Sequence, residues 1–392
     1  MIRVAIIGTG NISQSHIKGY LEYQDRCKIV AMVDIYPEKA KAKIEEFGLK
    51  DAKVYSSYKD MLEKEDIDLV SVCTPPYVHA EISIECMKAG MNILCEKPMA
   101  SSLEECDKML LTANETGKTL GIIAQNRFRS AIMNLKKTLD ADMIGKIRWA
   151  DIDSYWWRGH SYYDLWWRGT WETESGGCTL NHAVHHIDML NWMMGGIPKK
   201  VNAVLGNVAH DNSEVEDVSV AVLQYDNGAI ARLTSSLVHH GENQKIEFQG
   251  SEARISAPWN VTASTSKGNG FPVKNTELEE ELTKFYEELP ELKQEGHTGE
   301  IDDVLTALEK GTEPLITGKS GRNTIELITA IYKAGFEERT VELPITKEDP
   351  WYRVEGIMKN VKHFNEKTTF LENFSDQAIT VGSDYKYKYE KI

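Results

Sequence analysis

Residues 176–188 read GGCTLNHAVHHID and bring His182, His185, His186 and Asp188 within seven positions. Imidazoles and carboxylates at that density can hold a metal ion, move protons, or merely fill a helix. His182 and His186 stand four apart, the separation of two zinc ligands on one helix. No glutamate lies between them as in HExxH and no third ligand stands out, so no metal is expected. His185 offers other chemistry: a neutral imidazole can accept the hydroxyl proton of a secondary alcohol as hydride leaves the adjoining carbon. On a helix from Thr179 to Met193, ended by Gly195-Gly196, Asn181, His185, Asp188 and Trp192 share one stripe at about 3.6 residues per turn. Asp188 could orient the imidazole or bind a substrate hydroxyl, and Asn181 could hydrogen-bond the reacting hydroxyl or its neighbour. Leu180, Ala183, Val184, Ile187 and Leu190 form the apolar face, which leaves His182 and His186 as packed or surface residues.

Two further groups carry chemistry. Lys97, in Glu96-Lys97-Pro98, ends the apolar run Met91–Cys95, and Pro98 stops that strand and biases Lys97 towards an extended conformation. Beside a positively charged nicotinamide its pKa would fall, which suits proton handling; the plain alternative is a solvated lysine at a strand end. Residues 149–171 hold six of the nine tryptophans, with Tyr155, Tyr162, Tyr163, Arg158 and Arg168 among them. The stretch from Trp157 to Trp171 contains Gly159, Ser161 and Gly169 and reads as a loop. Aromatic rings stack on the C–H face of a pyranose and arginines donate to its hydroxyls or to a carboxylate. Trp157, Arg158, Trp167 and Arg168 are therefore candidate substrate contacts. Packing under the loop or at a subunit interface is the alternative for any single ring.

The elements that must position these groups begin at the first residue. The apolar run Val4–Ile7 enters Gly8-Thr9-Gly10-Asn11-Ile12-Ser13, a helix-compatible stretch follows to about Tyr23, and a second apolar run, Lys28–Val33, ends at Asp34. Strand, glycine turn, helix, strand and acid in this register form a dinucleotide fingerprint. Gly8 and Gly10 allow the tight turn and close backbone approach, Asn11 and Ile12 open the helix towards the phosphates, and Asp34 can accept the ribose hydroxyls. The third glycine of the motif is Ser13 here, also a small residue. Asp34 would repel a 2′-phosphate and no arginine follows it, so NAD is preferred to NADP. The alternation continues through strands at 68–73, 91–95 and 120–124, with helices between them, which implies a parallel doubly wound sheet. Ligands bind at the carboxyl ends of such strands. Thr74-Pro75-Pro76, Glu96-Lys97-Pro98 and Gln125-Asn126-Arg127 all fall there.

GTGNIS, Asp34, CTPPYVH, CEKPM and the later Asn181-x-x-x-His185-x-x-Asp188 together resemble the Gfo/Idh/MocA oxidoreductases, over about residues 1–345. The resemblance implies a Rossmann domain plus a second α/β domain with a large open antiparallel sheet. It also implies hydride transfer between NAD(P) and a sugar, sugar derivative or polyol, and homodimers or homotetramers that pack through that sheet. By position, Lys97 is the implied active-site lysine, Glu96 lies near the nicotinamide ribose, and His185 is the implied catalytic histidine. Thr74, Pro75, Pro76, His79 and Gln125 belong with the cofactor, and Arg127 with the substrate. Many members carry aspartate where this chain has Asn181. Members with asparagine there resemble glycoside and nucleotide-sugar dehydrogenases, which moves the substrate away from free inositol.

After Arg127 the pattern changes to successive strands without intervening helices, at 147–157, 201–210, 218–225, 229–238 and 245–248. Asn227-Gly228 marks a hairpin between two of them. An antiparallel sheet follows from this, with helices returning at about 299–309 and 322–335. The expected domains are 1–126 for the cofactor, 127–345 for substrate and oligomerisation, and a polar extension, 346–392, in which Tyr385–Tyr389 could form an edge strand or cover a neighbouring subunit. The formal net charge of −15 argues against nucleic acid or an anionic membrane as partner. Hydrophobic residues at 41% and charged residues at 27% fit a globular chain. Six scattered cysteines without a CxxC pair fit free buried thiols in a reducing compartment. With no signal-peptide pattern and no apolar run of about 18 residues, a cytoplasmic location is expected. The expected activity is NAD-dependent oxidation of a secondary hydroxyl of a sugar or glycoside, the 3-hydroxyl of a glucoside being one candidate. A glycoside-cleaving enzyme that retains NAD and a catalytically silent sugar sensor are the alternatives.

Overall fold

In the computed structural model, residues 1–372, 374, 383, 385 and 386 are described. They fall into two compact units. One comprises Met1–Phe128, Lys293–Ile325 and Tyr352–Val354; the other comprises Arg129–Leu292, Glu326–Trp351 and the described residues from Glu355 onward.

The first unit is built on six parallel strands: β1 (Ile2–Ile7), β2 (Cys27–Val33), β3 (Lys53–Tyr55), β4 (Leu69–Val72), β5 (Asn92–Cys95) and β6 (Leu120–Ile122). Their order is β3-β2-β1-β4-β5-β6, so the chain reverses direction of growth between β1 and β4, the switch point where α/β sheets bind ligands. Val4, Ala5, Ile6, Leu69, Val70 and Ile93 are fully buried. Continuous apolar runs are what a parallel sheet covered on both faces requires.

The first boundary lies close to the expected one, but the contiguous second domain, 127–345, needs correction. Residues 293–325 return to the first unit. Their helix Gly296–Lys310 packs on the helix Ser13–Leu21, where a Cβ on Gly19 would lie 2.4 Å from Ile301 Cδ1. Arg26 ties the two ends together, donating to Glu309 and Thr306 at 2.9 Å and pairing with Asp302.

The second unit holds nine strands: β7 (Trp149–Tyr155), β8 (Lys200–Gly206), β9 (Val218–Gln224), β10 (Ile230–Ser236), β11 (Gln244–Gln249), β12 (Ala253–Ala257), β13 (Asn260–Ser266), β14 (Pro272–Lys274) and β15 (Val341–Glu342). Their order is β14-β13-β12-β11-β7-β10-β9-β8-β15. Gly228 takes φ 84° in the β9–β10 hairpin, as the Asn-Gly signal requires. The expectation of an all-antiparallel sheet is corrected at one place: β7 and β10 run parallel. β7 is inserted between β10 and β11, which follow one another in sequence. The chain turns back between β10 and β11, so a strand between them that is antiparallel to β11 is parallel to β10. One face of the sheet is apolar and buried, with Ala150, Ile152, Leu223, Leu233, Ile246 and Phe248 at 0% exposure.

Within the stretch expected to be a polar tail, the described residues form a 3-10 turn at Pro350–Tyr352 and a helix at Val354–Asn360. Tyr387–Tyr389 of the supposed edge strand lie outside the described residues. Tyr385 is buried and its hydroxyl meets His186 Nε2 at 2.9 Å. All six cysteines are free and buried, and no helix among the described residues is long and apolar enough to cross a membrane.

Trp171 shows how the second unit is knitted together. Its ring lies edge-on to Tyr332 and Phe336, with centroids 5.2 and 5.7 Å away, and its indole N–H donates to the carbonyl of Lys362 at 3.3 Å. Trp171→Ala is expected to cost about 3–5 kcal/mol, the usual range for emptying a buried tryptophan site. Chemical denaturation with a denaturant-slope check measures this directly.

Candidate active site

At the end of β1, Gly8 takes φ 90°, and a Cβ there would lie 2.6 Å from the carbonyl oxygen of Cys73. Only glycine fits this crossing of the β1 and β4 ends. At Gly10 a Cβ would meet no protein atom within 4 Å, which leaves an open cradle above the turn. Ser13, standing for the third glycine, is fully buried, and its hydroxyl donates to the carbonyl of Gly10 at 2.7 Å. Asn11 and Ile12 lead into the helix Ser13–Leu21, Ile12 as its N-cap. Asp34 follows β2. Its Oδ2 accepts from the N–H and the hydroxyl of Thr9 at 2.8 and 2.7 Å, and its Oδ1 from the N–H of Tyr36 at 2.9 Å. The carboxylate is thus oriented beside the glycine turn.

A histidine stands between the next strand ends. His79 sits fully buried with Nε2 2.8 Å from the carbonyl oxygen of Thr74 and Nδ1 2.9 Å from that of Pro98. It lies between the loop after β4, which holds Thr74, Pro75 and the Pro76–Val78 turn, and the loop after β5, and its single N–H when neutral donates to one of the two carbonyls. Thr74 Oγ1 and, after β6, Gln125 Oε1 are buried without a hydrogen-bond partner among the described residues. An open cradle at Gly10, an oriented acid and orphaned polar atoms at successive strand ends fit a dinucleotide. Arg127 is buried in the turn Gln125–Phe128 of this same unit.

Glu96 anchors the edge. Its carboxylate is buried. Oε1 meets His16 Nε2 at 3.0 Å and His297 Nε2 at 3.1 Å, and Oε2 accepts the Lys97 N–H at 3.1 Å. The two imidazoles hold this carboxyl well below the usual range despite its burial, while burial lowers His16. No metal was expected from His182 and His186; the three atoms here, within 4.8 Å of one another, form the group among the described residues that could hold one. Neither His16 nor His297 was singled out from the sequence. His16 could have been noticed as a polar residue on the buried face of its helix, but its partner is 281 positions further on.

In the second unit the single helix expected over 179–193 is broken. Cys178–Asn181 forms a short turn and Val184–Met194 the helix proper, ended at Gly195 with φ 76°. The break follows from the turn's own bonds: the N–H groups of both His182 and Ala183 donate to the carbonyl of Cys178, and the Asn181 amide donates back to the carbonyl of Gly176 at 2.7 Å. Asn181 is thus on a separate element from His185 and Asp188, which lie buried on the helix one turn apart. The turn is fixed from below by Glu216, whose carboxylate accepts from the N–H groups of Gly177 and Thr179 and from the Tyr332 hydroxyl at 2.9–3.1 Å. Burial nevertheless pushes Glu216 up to about 7. His182 packs edge-on to Trp156 and near Tyr162.

Among the aromatic candidates, Trp157 is 45% exposed and stacks on His240, with centroids 5.5 Å apart. Arg158 pairs with Glu242, and Arg168 pairs with Glu174 at 2.8 Å while lying over the rings of Trp167 and Tyr162 at 4.0 and 4.2 Å. Both guanidinium groups hold the loop together, and the exposed rings Trp157 and Trp166 are the ones it presents outward.

A doubly wound sheet with a glycine turn and an oriented acid at this edge has the architecture of a dinucleotide-binding domain. Residues 2–123 match the family model described as "Oxidoreductase family, NAD-binding Rossmann fold", and residues 132–256 match the GFO/IDH/MocA C-terminal domain. The chain belongs to the Gfo/Idh/MocA family, and its first unit is an NAD-binding Rossmann domain. It is similar to the 2,7-anhydro-N-acetylneuraminate hydratase of Mediterraneibacter gnavus, with 27% identity over 86% of this chain and 96% of that protein. It is also similar to the inositol 2-dehydrogenase of Rhizobium meliloti, with 26% identity over 87% of this chain and 99% of that one. The crystal structure of the WlbA dehydrogenase from Bordetella pertussis with NADH and UDP-GlcNAcA superposes with a TM-score of 0.76 at 27% identity, covering 88% of this chain and 98% of that one.

His186 gives the site helix a pH dependence. It is fully buried, and burial lowers its pKa to about 3. In the unfolded chain the group titrates near its ordinary value, about 6.5. Below that value the unfolded state binds one proton more, so this contribution favours folding at neutral pH and is lost as pH falls, at up to about 1.4 kcal/mol per pH unit. His186→Gln should therefore lose about 1 kcal/mol less than wild type between about pH 7 and about pH 5.5, read from denaturation curves at both pH values. Equal losses in both proteins would refute this.

Proposed function

We propose that the protein is an NAD-dependent dehydrogenase of the sugar-dehydrogenase type that oxidises a secondary hydroxyl of a sugar or glycoside. The observation that carries this is a buried His185–Asp188 helix turn in a chain whose other unit is an NAD-binding domain. NAD, when bound, accepts the hydride from the carbinol carbon. The residues that would hold it are Gly8, Gly10, Asn11, Ile12, Asp34, Thr74, Pro75, Pro76, Glu96 and Gln125, with His79 between the two loops. His185 takes the hydroxyl proton, Lys97 polarises the reacting oxygen, and Asp188 orients the imidazole or a neighbouring hydroxyl. The exposed face of Trp157 suits stacking on a sugar ring. Asp34 supports NAD over NADP because its carboxylate would repel a 2′-phosphate.

A second reading is favoured by one relative's being named a hydratase. Hydration is redox-neutral, so an enzyme of this fold can oxidise transiently, eliminate or add, and return the hydride. The two readings differ in whether NADH accumulates. A spectrophotometric screen of glycosides, nucleotide sugars and polyols with NAD and NADP, paired with chromatographic detection of product, separates them. Lys97→Ala and His185→Ala should each lower kcat by about 10²–10⁴-fold with an unchanged melting temperature. Turnover surviving both changes would sink the mechanism, and preference for NADP would overturn the role given to Asp34.

We also propose self-association through the outer face of the second sheet, where Val204, Val220, Val222 and Ile230 are exposed. The face continues into a charged cluster in which Arg232 bonds Asp151 and Asp153. Val222→Lys should shift the protein to a smaller species in light scattering coupled to size exclusion, while a monomeric wild type would overturn the assignment.

A further inference from the structure

We infer that His16 and His297 are positioning residues for the cofactor, together holding Glu96 as an oriented acceptor at the mouth of β5. Burial disfavours the charged form of His16, and with that ring neutral the hydrogen bonds run in one direction. An ionised carboxylate only accepts, so both Nε2 atoms on Glu96 Oε1 carry hydrogens. His16 Nδ1 is then an acceptor, and its partner 3.0 Å away is the Ser71 hydroxyl. With the Ser71 hydrogen committed there, the Tyr20 hydroxyl, 2.7 Å off, donates to Ser71 Oγ. The chain Tyr20, Ser71, His16, Glu96 runs in one direction through residues 0–4% exposed, and His297 closes it from the other side. His297 is the more accessible imidazole, its side chain 13% exposed against 0% for His16.

This arrangement leaves a purpose for the charge. Glu96 is met by three donors, His16, His297 and the Lys97 N–H. Of its acceptor positions, Oε1 uses two and Oε2 uses one, on the Lys97 N–H. The remaining position on Oε2 is at the ligand-binding edge of the sheet and suits a hydroxyl donor of the cofactor. His297 fixes which oxygen stays available, and it comes from the returning helix Gly296–Lys310. A metal on the same three atoms would need ligands spread to about 3.3 Å for tetrahedral bonds of about 2.0–2.1 Å. The observed 3.0 and 3.1 Å are hydrogen-bond lengths.

The inference depends on the NAD-binding character of the first unit and not on the substrate, so it survives failure of every sugar tested. Purified full-length wild type, His297→Leu and His297→Gln are compared by fluorescence titration with NADH, by melting temperature without cofactor, and, where turnover is found, by KM for NAD against kcat. His297→Leu removes one donor to a charged acceptor and should weaken NADH about 10–100-fold, raising KM for NAD with kcat changed less than about threefold. His297→Gln keeps a neutral donor of similar reach and should return affinity to within about threefold of wild type. Should His297→Leu not fold, His297→Asn, one methylene too short to reach Glu96, takes its place with the same expectation. Unchanged NADH affinity in the folded variant would overturn the inference, as would equal defects in the Gln and Leu variants. Stoichiometric zinc uptake by wild type that vanishes in Glu96→Gln would also overturn it, making the cluster a metal site.

Discussion

The carboxylate of Glu96 is withdrawn from water at the end of a strand, where it has to be satisfied by the protein. An ion in that position costs several kcal/mol unless its acceptors are filled with good geometry. Its own loop supplies only the Lys97 N–H. The others come from the helix after β1, through His16, and from a helix some two hundred residues later, through His297. A chain that has left the first unit at Phe128 therefore comes back to it. Gly19 makes room for Ile301, and Arg26 grips Asp302 and Glu309 so that the returning helix sits in register. The local order of strand ends, including His79 between Thr74 and Pro98, is assembled around this point.

The second unit solves a similar problem with Glu216. Here backbone N–H donors and the Tyr332 hydroxyl only partly offset the burial of the acid, so its pKa rises to about 7. The cost of placing it is accepted because it fixes the backbone ahead of the His185 helix. Gly177 has no alternative there, since a Cβ would lie 1.9 Å from the carbonyl oxygen of Glu216. Nearby, Asp217 takes the N–H groups of Val208 and Ala209 together with His210, whose other nitrogen reaches the carbonyl of Arg158. The aromatic loop is thus held by buried polar groups at its base while its exposed rings remain available.

What was legible from the residues alone divides along a physical line. The strand–turn–helix–strand–acid pattern around Gly8 and Asp34 is local, each part within reach of the next, and it could be read in full. So could the Asn227-Gly228 hairpin, where backbone conformation is dictated by two residues. The parallel pairing of β7 with β10 could not be read, because it depends on a strand inserted between two sequence neighbours. The return of residues 293–325 to the first unit was hidden for the same reason: amphipathic helices announce that they bury a face, not against what. His16 and His297 were missed as a pair because neither means much without the other. Arg158 and Arg168 were read as donors for a substrate because their carboxylate partners, Glu242 and Glu174, gave no sign of proximity in the case of Glu242 and no sign of burial in the case of Glu174.

Asn181 was the residue from which the resemblance steered the substrate away from free inositol, and its surroundings change the weight it can bear. Its amide nitrogen is 2.7 Å from the carbonyl oxygen of Gly176 and 3.4 Å from that of Gly177. Aspartate in the same rotamer would turn an acceptor-only group towards two acceptors. The turn Cys178–Asn181 would then lose the bond that closes it and gain a repulsion, unless the side chain swung away. Asparagine therefore suits the way this turn is built, with Gly176, Gly177 and Glu216 as its neighbours. Its presence speaks first about the local backbone. One side chain can serve both ends, closing the turn through its nitrogen while the helix that carries His185 and Asp188 begins three residues further on.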